Sequence, residues 1–119
     1  MLLKKDFTFD AAHYLPDYHG KCENLHGHTY FLSITIKGVP GPDGMIVDFT
    51  IFDRLVREHI LCHLDHQDLN VRFPNPTTEN IAQWIYDTMG VICQSSHYQL
   101  YEVFLSESNT SHIIIRKDA

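Results

Sequence analysis

The chain has 119 residues and a mass of 13.8 kDa, so we expect a single domain spanning 1–119. Its formal net charge of -6 argues against a general nucleic-acid binder, because such proteins neutralise phosphates with clustered Lys and Arg. A hydrophobic fraction of 44% is typical of a folded globular protein rather than a disordered one. No stretch is long and apolar enough for a membrane span or a secretory signal, so the sequence predicts a cytoplasmic protein.

Two strands are predicted in the first third of the chain. Residues 3–13 alternate between apolar and polar side chains, which indicates a half-buried strand with His13 on its apolar side. The β-branched and aromatic run 29–36 predicts a second strand. Residues two apart in a strand point to the same side, so His26 and His28 share the apolar face of that second strand.

The predicted hairpin brings three histidines together. A loop over residues 14–25 connects the two strands, and antiparallel pairing places His13 beside His26 and His28. A lone histidine at position 13 would more often be a satisfied core residue, but its two neighbours favour a ligand. Three protein ligands with one open position are typical of catalytic zinc, and imidazole ligands favour Zn²⁺ over magnesium or calcium.

Cys22 lies in the loop and has two interpretations. As a fourth ligand it would close a structural zinc site and leave no room for chemistry, although paired cysteine spacing is missing. As a free thiolate near the metal it would act as a general base. The three cysteines do not form a disulfide pattern, and we expect Cys62 and Cys93 to be small buried hydrophobic residues.

The rest of the chain predicts two helices followed by two strands. Thr50 and Asp53 resemble a capping box at the start of the first helix, which ends near Leu61 to Leu64. Thr77 or Thr78 caps the second helix. The predicted fold is α+β, a four-stranded antiparallel sheet with two helices on one face, in the order β-β-α-α-β-β. Its open sheet edges favour oligomerisation.

Two acidic positions have both a functional and a structural interpretation. Asp65 could orient His66 as a proton shuttle, although neighbouring residues pair only in a suitable loop conformation, and an exposed loop is the structural alternative. Glu79 could equally be a partner of the helix dipole. The other histidines are interpreted as surface or packing residues: His19, His59, His63, His97 and His112.

These blocks together resemble the 6-pyruvoyltetrahydropterin synthase and 6-carboxytetrahydropterin synthase family over nearly the whole chain. The resemblance rests on their order: His13, Cys22-x-x-x-His26-Gly27-His28, Leu64-Asp65-His66-Gln67-Asp68-Leu69-Asn70, Pro76-Thr77-Thr78-Glu79-Asn80 and Glu107. It implies a tunnelling fold (T-fold) whose subunits close into a barrel around a threefold axis. It also implies a homo-hexamer, built as a dimer of trimers, with sites at subunit interfaces.

The resemblance also implies roles for individual residues. His13, His26 and His28 would bind Zn²⁺ and Cys22 would be the general base. Asp65 and His66 would form a second proton-transfer pair. The substrate would be bound by Glu107, Thr78 and Glu79.

The substrate implied by the family is 7,8-dihydroneopterin triphosphate, and the motifs leave three products open. We expect a zinc-dependent carbon-oxygen or carbon-carbon lyase that forms 6-carboxy-5,6,7,8-tetrahydropterin in the queuosine (deazapurine) pathway, because the spacing from Cys22 to His26 resembles the compact members. The alternatives are 6-pyruvoyltetrahydropterin synthesis, and side-chain cleavage to 6-hydroxymethyl-dihydropterin for folate, which Glu23 would favour unless it is merely an exposed loop residue. A noncatalytic pterin-binding zinc module is the non-enzyme alternative.

Overall fold

The computed structural model describes residues 1–117. Five strands and three α-helices follow one another in this order: β1 (Leu2–His13), β2 (His26–Gly38), α1 (Phe49–Val56), α2 (Cys62–Leu64), β3 (Gln67–Asp68), α3 (Thr78–Ile92), β4 (Tyr98–Ser108) and β5 (Ser111–Arg116). A π-helical turn, Arg57–Leu61, joins α1 to α2, so these two form one continuous helical segment. The α+β class and the two predicted helical segments are confirmed.

The sheet differs from the prediction in strand number and direction. It has five strands in the order β3-β1-β2-β4-β5. β3 pairs in parallel with β1 through Ala11 and Ala12, which makes the sheet mixed, whereas the other neighbours are antiparallel. The predicted four-stranded antiparallel sheet and the order β-β-α-α-β-β are therefore wrong, because the segment predicted as a loop contributes a two-residue strand between the helices.

One hydrophobic core joins the helices to one face of the sheet. The strands contribute alternate residues of β1, β2 and β4, as the period of two requires. The helices contribute residues spaced three and four apart. The fully buried members on both sides include Leu32, Ile34, Ile36, Val103, Leu105, Phe52, Val56, Ile60, Ile81, Ile85 and Met89.

Two local predictions in the helical segments are corrected. Asp48, not Thr50, caps α1, and its side chain accepts from the amides of Thr50 and Ile51. Asp53 is instead paired with Arg57 one turn later, with 2.8 Å between Oδ2 and Nε. Cys62 is exposed rather than buried, whereas Cys93 is buried as predicted and burial raises its pKa to about 11. Within residues 1–117, none of the helices has the length and apolar character needed to cross a membrane.

Candidate metal centre and active site

The β1–β2 hairpin sets the positions of the three histidines. His13 pairs with His26 across the two strands, and Ala11 pairs with His28. Because the side chains of one face recur every second residue, this register aims all three imidazoles at the same point beyond the end of the core. One ligand atom from each lies within 4.8 Å of the other two. The predicted convergence of His13, His26 and His28 is confirmed.

Backbone carbonyls hold two of these imidazoles in a fixed orientation. His13 Nδ1 lies 2.8 Å from the carbonyl oxygen of Pro76, and His26 Nδ1 lies 2.7 Å from that of Asn24. A carbonyl only accepts, so each Nδ1 carries the proton and each Nε2 presents a lone pair. The two Nε2 atoms are 3.1 Å apart. This is the outer-shell pattern that orients histidine ligands toward a metal.

His28 supplies the third nitrogen. Among residues 1–117, its Nε2 is the buried side-chain polar atom that has no hydrogen-bond partner. Burial lowers the pKa of His28, an effect that the nearby Glu107 carboxylate only partly opposes, so the neutral, ligating form is favoured. An unpartnered buried nitrogen beside two lone pairs is a donor set that fits a zinc ion.

Glu107 stands at the rim of the histidine cluster. Its Oε1 lies 3.1 Å from His13 Nε2 and 3.4 Å from His28 Nε2. The hydrogen bond with His13 lowers the pKa of this carboxyl group against the opposing effect of burial. For His13 itself, burial acts to lower the pKa, but the contacts with Glu107 and Pro76 outweigh it and the pKa is raised. The side chain of Glu107 is therefore an anion directed into the site.

The Asp65–His66 pair forms at the end of α2. His66 has a φ of 58°, in the left-handed region, and this turn brings its Nδ1 to 3.0 Å from Asp65 Oδ1. The same carboxylate accepts from the amide of Asp10 in β1, at 3.0 Å, while the His66 amide donates to the Asp10 carbonyl. The backbone conformation thus permits the neighbouring side chains to pair, which the sequence alone left open.

Asp65 offers a test through its titration. The Asp10 amide, followed by His66, lowers the pKa of Asp65 below its ordinary value of 3.8. A carboxylate with a lowered folded-state pKa stabilises the fold above the ordinary value, and this contribution is lost as the pH falls through the lowered pKa. We expect Asp65→Asn to be less stable than wild type at pH 7, by less than ~1 kcal/mol because water screens this half-exposed group. Urea unfolding at pH 7 and pH 3 measures this, and a difference that did not shrink at pH 3 would contradict it.

The Asp65–His66 pair and the three histidines form two separate clusters within one chain. Asp10, Asp65 and His66 lie close together on the outer side of β1, whereas His13 is on the buried side of that strand. A groove of about 560 Å³ is lined by both His28 and His66. Within a single chain, the two clusters border one groove without converging on one point.

The loop residues Cys22 and Glu23 lie in a short 3-10 turn, Lys21–Glu23. The Cys22 thiol is free and half-buried, and it does not belong to the cluster of mutually close histidine ligand atoms. Its carbonyl oxygen accepts from the amide of Leu15, which closes the loop on itself. Glu23 is exposed, and its carboxylate is 3.9 Å from His19. This placement leaves Cys22 available as a base and makes Glu23 a surface residue of the loop.

The start of α3 lies beside the histidines. Thr77 caps this helix by accepting from the Asn80 amide, Thr78 and Glu79 form its first turn, and the preceding residue is Pro76, which holds His13. The roles of Thr78 and Glu79 in substrate binding stay predictions.

Sequence reasoning missed the residues that position the site through their backbone or through an amide side chain. Asn70 accepts from the Tyr14 amide and donates to the Tyr14 carbonyl, at 2.9 and 3.0 Å, and so ties the end of β1 to the segment after β3. The carbonyls of Asn24 and Pro76 were equally hidden, since every residue carries one. Only Asn70 could have been found from the sequence as a positioning residue, because it is the last residue of the motif that contains Asp65 and His66.

Comparison with known proteins identifies the family. The model of the family described as 6-pyruvoyl tetrahydropterin synthase matches residues 2–118. The chain belongs to this family. A relative from Bacillus subtilis named 6-carboxy-5,6,7,8-tetrahydropterin synthase is 35% identical over 123 residues, covering 96% of this chain and 84% of the relative. A protein of the same name from Synechocystis sp. is 38% identical over 92 residues, or 71% of each chain.

The fold of the 6-pyruvoyl tetrahydropterin synthase family is also found by structural comparison. The structure of Caenorhabditis elegans 6-pyruvoyl tetrahydropterin synthase superposes with a TM-score of 0.85, covering 99% of this chain and 96% of that one at 23% identity. At this identity the likeness concerns the fold. The family predicted from the sequence motifs is confirmed.

Proposed function

We propose that this protein is a zinc-dependent lyase that converts 7,8-dihydroneopterin triphosphate to 6-carboxy-5,6,7,8-tetrahydropterin. One observation carries the proposal: three imidazoles converge beside an anionic carboxylate in a chain whose relatives from two bacteria are named for this product. Zinc at His13, His26 and His28 would supply Lewis acidity to the hydroxyl groups of the substrate side chain. The orphaned His28 Nε2 and the two carbonyl-oriented rings support that ligand set.

Two groups move protons in this proposal. Cys22 takes a proton from the substrate side chain, because the thiolate is the form of cysteine that acts as a base. His66 transfers the second proton through its Nε2, because the contact between Nδ1 and Asp65 orients the ring. Both roles are consistent with groups that border open space rather than the core.

The substrate ring is held by groups near the metal centre. Glu107 accepts from the adjacent N–H groups of the aminopyrimidine edge, a geometry that suits a bidentate carboxylate. Thr78 and Glu79, at the start of α3, contact the substrate nearby. Glu107 extends from β4 at the position where the pairing with β5 shifts between Ser106 and Ser108, and such an irregularity redirects side chains at a strand end.

The active site is completed by a second subunit in this proposal. Within residues 1–117, the outer edge of β1 pairs with another strand only at Ala11 and Ala12, and β5 has a neighbour on one side only. Free edges of this length favour pairing between chains. Joining the sheets of three subunits edge to edge, and stacking two such trimers, gives the homo-hexamer and lets His66 of one subunit face the histidine cluster of the next. Light scattering should then give six times the mass of the 13.8-kDa chain.

Product analysis tests the reaction. Zinc-loaded protein is incubated with 7,8-dihydroneopterin triphosphate and the products are identified by mass spectrometry. Carboxytetrahydropterin with acetaldehyde supports the proposal. Pyruvoyltetrahydropterin would indicate the biopterin reaction, and hydroxymethyl-dihydropterin would indicate the side-chain cleavage used in folate synthesis. No turnover by zinc-loaded, folded protein would leave the noncatalytic pterin-binding module.

A further inference from the structure

Three potential ligand atoms lie within contact distance of one another in pairs at the candidate metal centre. His13 and His26 both use Nδ1 to donate to carbonyl oxygens, so their Nε2 lone pairs face each other across 3.1 Å. The Oε1 atom of Glu107, also an acceptor, lies 3.1 Å from the same His13 Nε2. A carboxylate oxygen and an imidazole nitrogen stand this close only when a proton or a cation lies between them. The Glu107 carboxylate is therefore within reach of the cation that the imidazoles would bind.

The spacing of these atoms matches that of ligands around one small ion. With zinc–ligand bonds of 2.0–2.1 Å, the vertices of a tetrahedron are about 3.3 Å apart. The contacts from Glu107 Oε1 are 3.1 Å to His13 Nε2 and 3.4 Å to His28 Nε2. The carboxylate thus stands on the side of the cluster between His13 and His28, and it is not part of the mutually close set that includes His26.

Charge favours this approach. Three neutral imidazoles leave the two positive charges of zinc uncompensated, at a site where the His13 side chain is only 2% exposed. Glu107 is 30% exposed and brings an anionic oxygen to within 3.4 Å of two of these rings. A carboxylate is also among the common protein ligands of zinc, at 2.0–2.2 Å.

We propose that Glu107 is the fourth metal ligand in the substrate-free protein. The inference rests on the proposed function in two respects. It takes the metal to be zinc, and it takes binding of the pterin ring to be the second role of Glu107. One carboxylate cannot serve the metal and the pterin ring at once, so substrate binding draws Glu107 off the metal and opens the fourth position for the substrate hydroxyls. Without substrate, protein side chains occupy all four coordination positions of the metal. With substrate bound, the fourth position is available to the substrate hydroxyls.

Metal binding by Glu107→Gln tests the proposal. The metal-free protein is titrated with Zn²⁺ against a chromophoric chelator, and separately with Co²⁺ while its visible absorption is recorded. An amide is a poor zinc ligand of the same shape, so the variant should bind Zn²⁺ at least ~10-fold more weakly and its Co²⁺ spectrum should change. Glu102→Gln is the matched control on the same strand, because Glu102 pairs with Arg116 at 2.6 Å, and it should bind both metals as wild type does. Unchanged affinity and an unchanged Co²⁺ spectrum in Glu107→Gln would overturn the inference.

A second measurement does not depend on any variant folding. A crystal structure of zinc-loaded wild-type protein without substrate should place a Glu107 oxygen about 2.0–2.2 Å from the ion. A water molecule at the fourth position, with Glu107 paired to protein groups only, would also overturn it. The proposed function fails separately: a Glu107–zinc bond without turnover refutes the reaction alone, whereas turnover with water as the fourth ligand refutes this inference alone.

Discussion

Cys22→Ala should keep its zinc and lose most of its activity. The thiol lies outside the cluster of histidine ligand atoms, so its removal leaves the metal-binding set intact. A general base contributes about 10²–10⁴-fold to a rate, and we expect turnover of 7,8-dihydroneopterin triphosphate to fall by that factor. Zinc per chain, measured by elemental analysis, should stay at the wild-type value.

Cys62→Ala is the matched control for Cys22→Ala. Cys62 is also a free cysteine and is exposed at the start of α2, where its thiol donates to the Glu58 carbonyl of its own helical segment. Its removal should change neither turnover nor zinc content. Loss of zinc from Cys22→Ala would contradict the general-base role and favour the structural zinc site in which Cys22 is a ligand.

His13→Ala should lose both zinc and activity. His13 is the most buried of the three histidines and contacts both His26 and Glu107. A bound metal stabilises the folded state by ~2.7 kcal/mol when its concentration is 100 times Kd. We expect zinc to raise the unfolding free energy of wild type by about this amount and to leave that of His13→Ala unchanged, as measured by urea unfolding with and without zinc.

Two further variants separate metal loss from misfolding. His59→Ala removes an exposed histidine from the π-helical turn and should gain the same zinc stabilisation as wild type. His26→Ala removes a half-buried ligand, so it disturbs the core less than His13→Ala while still breaking the site. A wild-type response to zinc in both ligand variants would refute the three-histidine site.

The convergence of the three histidines could be predicted because they follow strand periodicity. His13 continues the apolar face of β1, and His26 and His28 continue that of β2, so one hairpin register was enough to bring them together. The left-handed conformation of His66 could not be predicted in the same way, because histidine only occasionally adopts it. The pairing of Asp65 with His66 depends on that single dihedral angle.

The missed strand and the misplaced helix cap have different physical causes. β3 is two residues long and pairs in parallel with a strand more than fifty positions earlier, so local periodicity carries no signal for it. At α1, Thr50 and Asp53 have the right spacing for a capping box. The free amides at the start of the helix instead donate to Asp48, and Asp53 pairs with Arg57. Asp48 and Thr50 are both suitable N-cap residues close together in the chain, and the sequence alone does not show which of them caps α1.

The three histidines and Cys22 have independent structural supports. His13 and His26 are fixed opposite each other by strand pairing, whatever the length of the connection, whereas Cys22 is held by the connection alone. Insertions, deletions and substitutions in residues 14–25 can therefore move or replace Cys22 while leaving the three histidines in place. If the proposed roles hold, changes in this one loop alter the chemistry, whereas the two strands preserve the metal site.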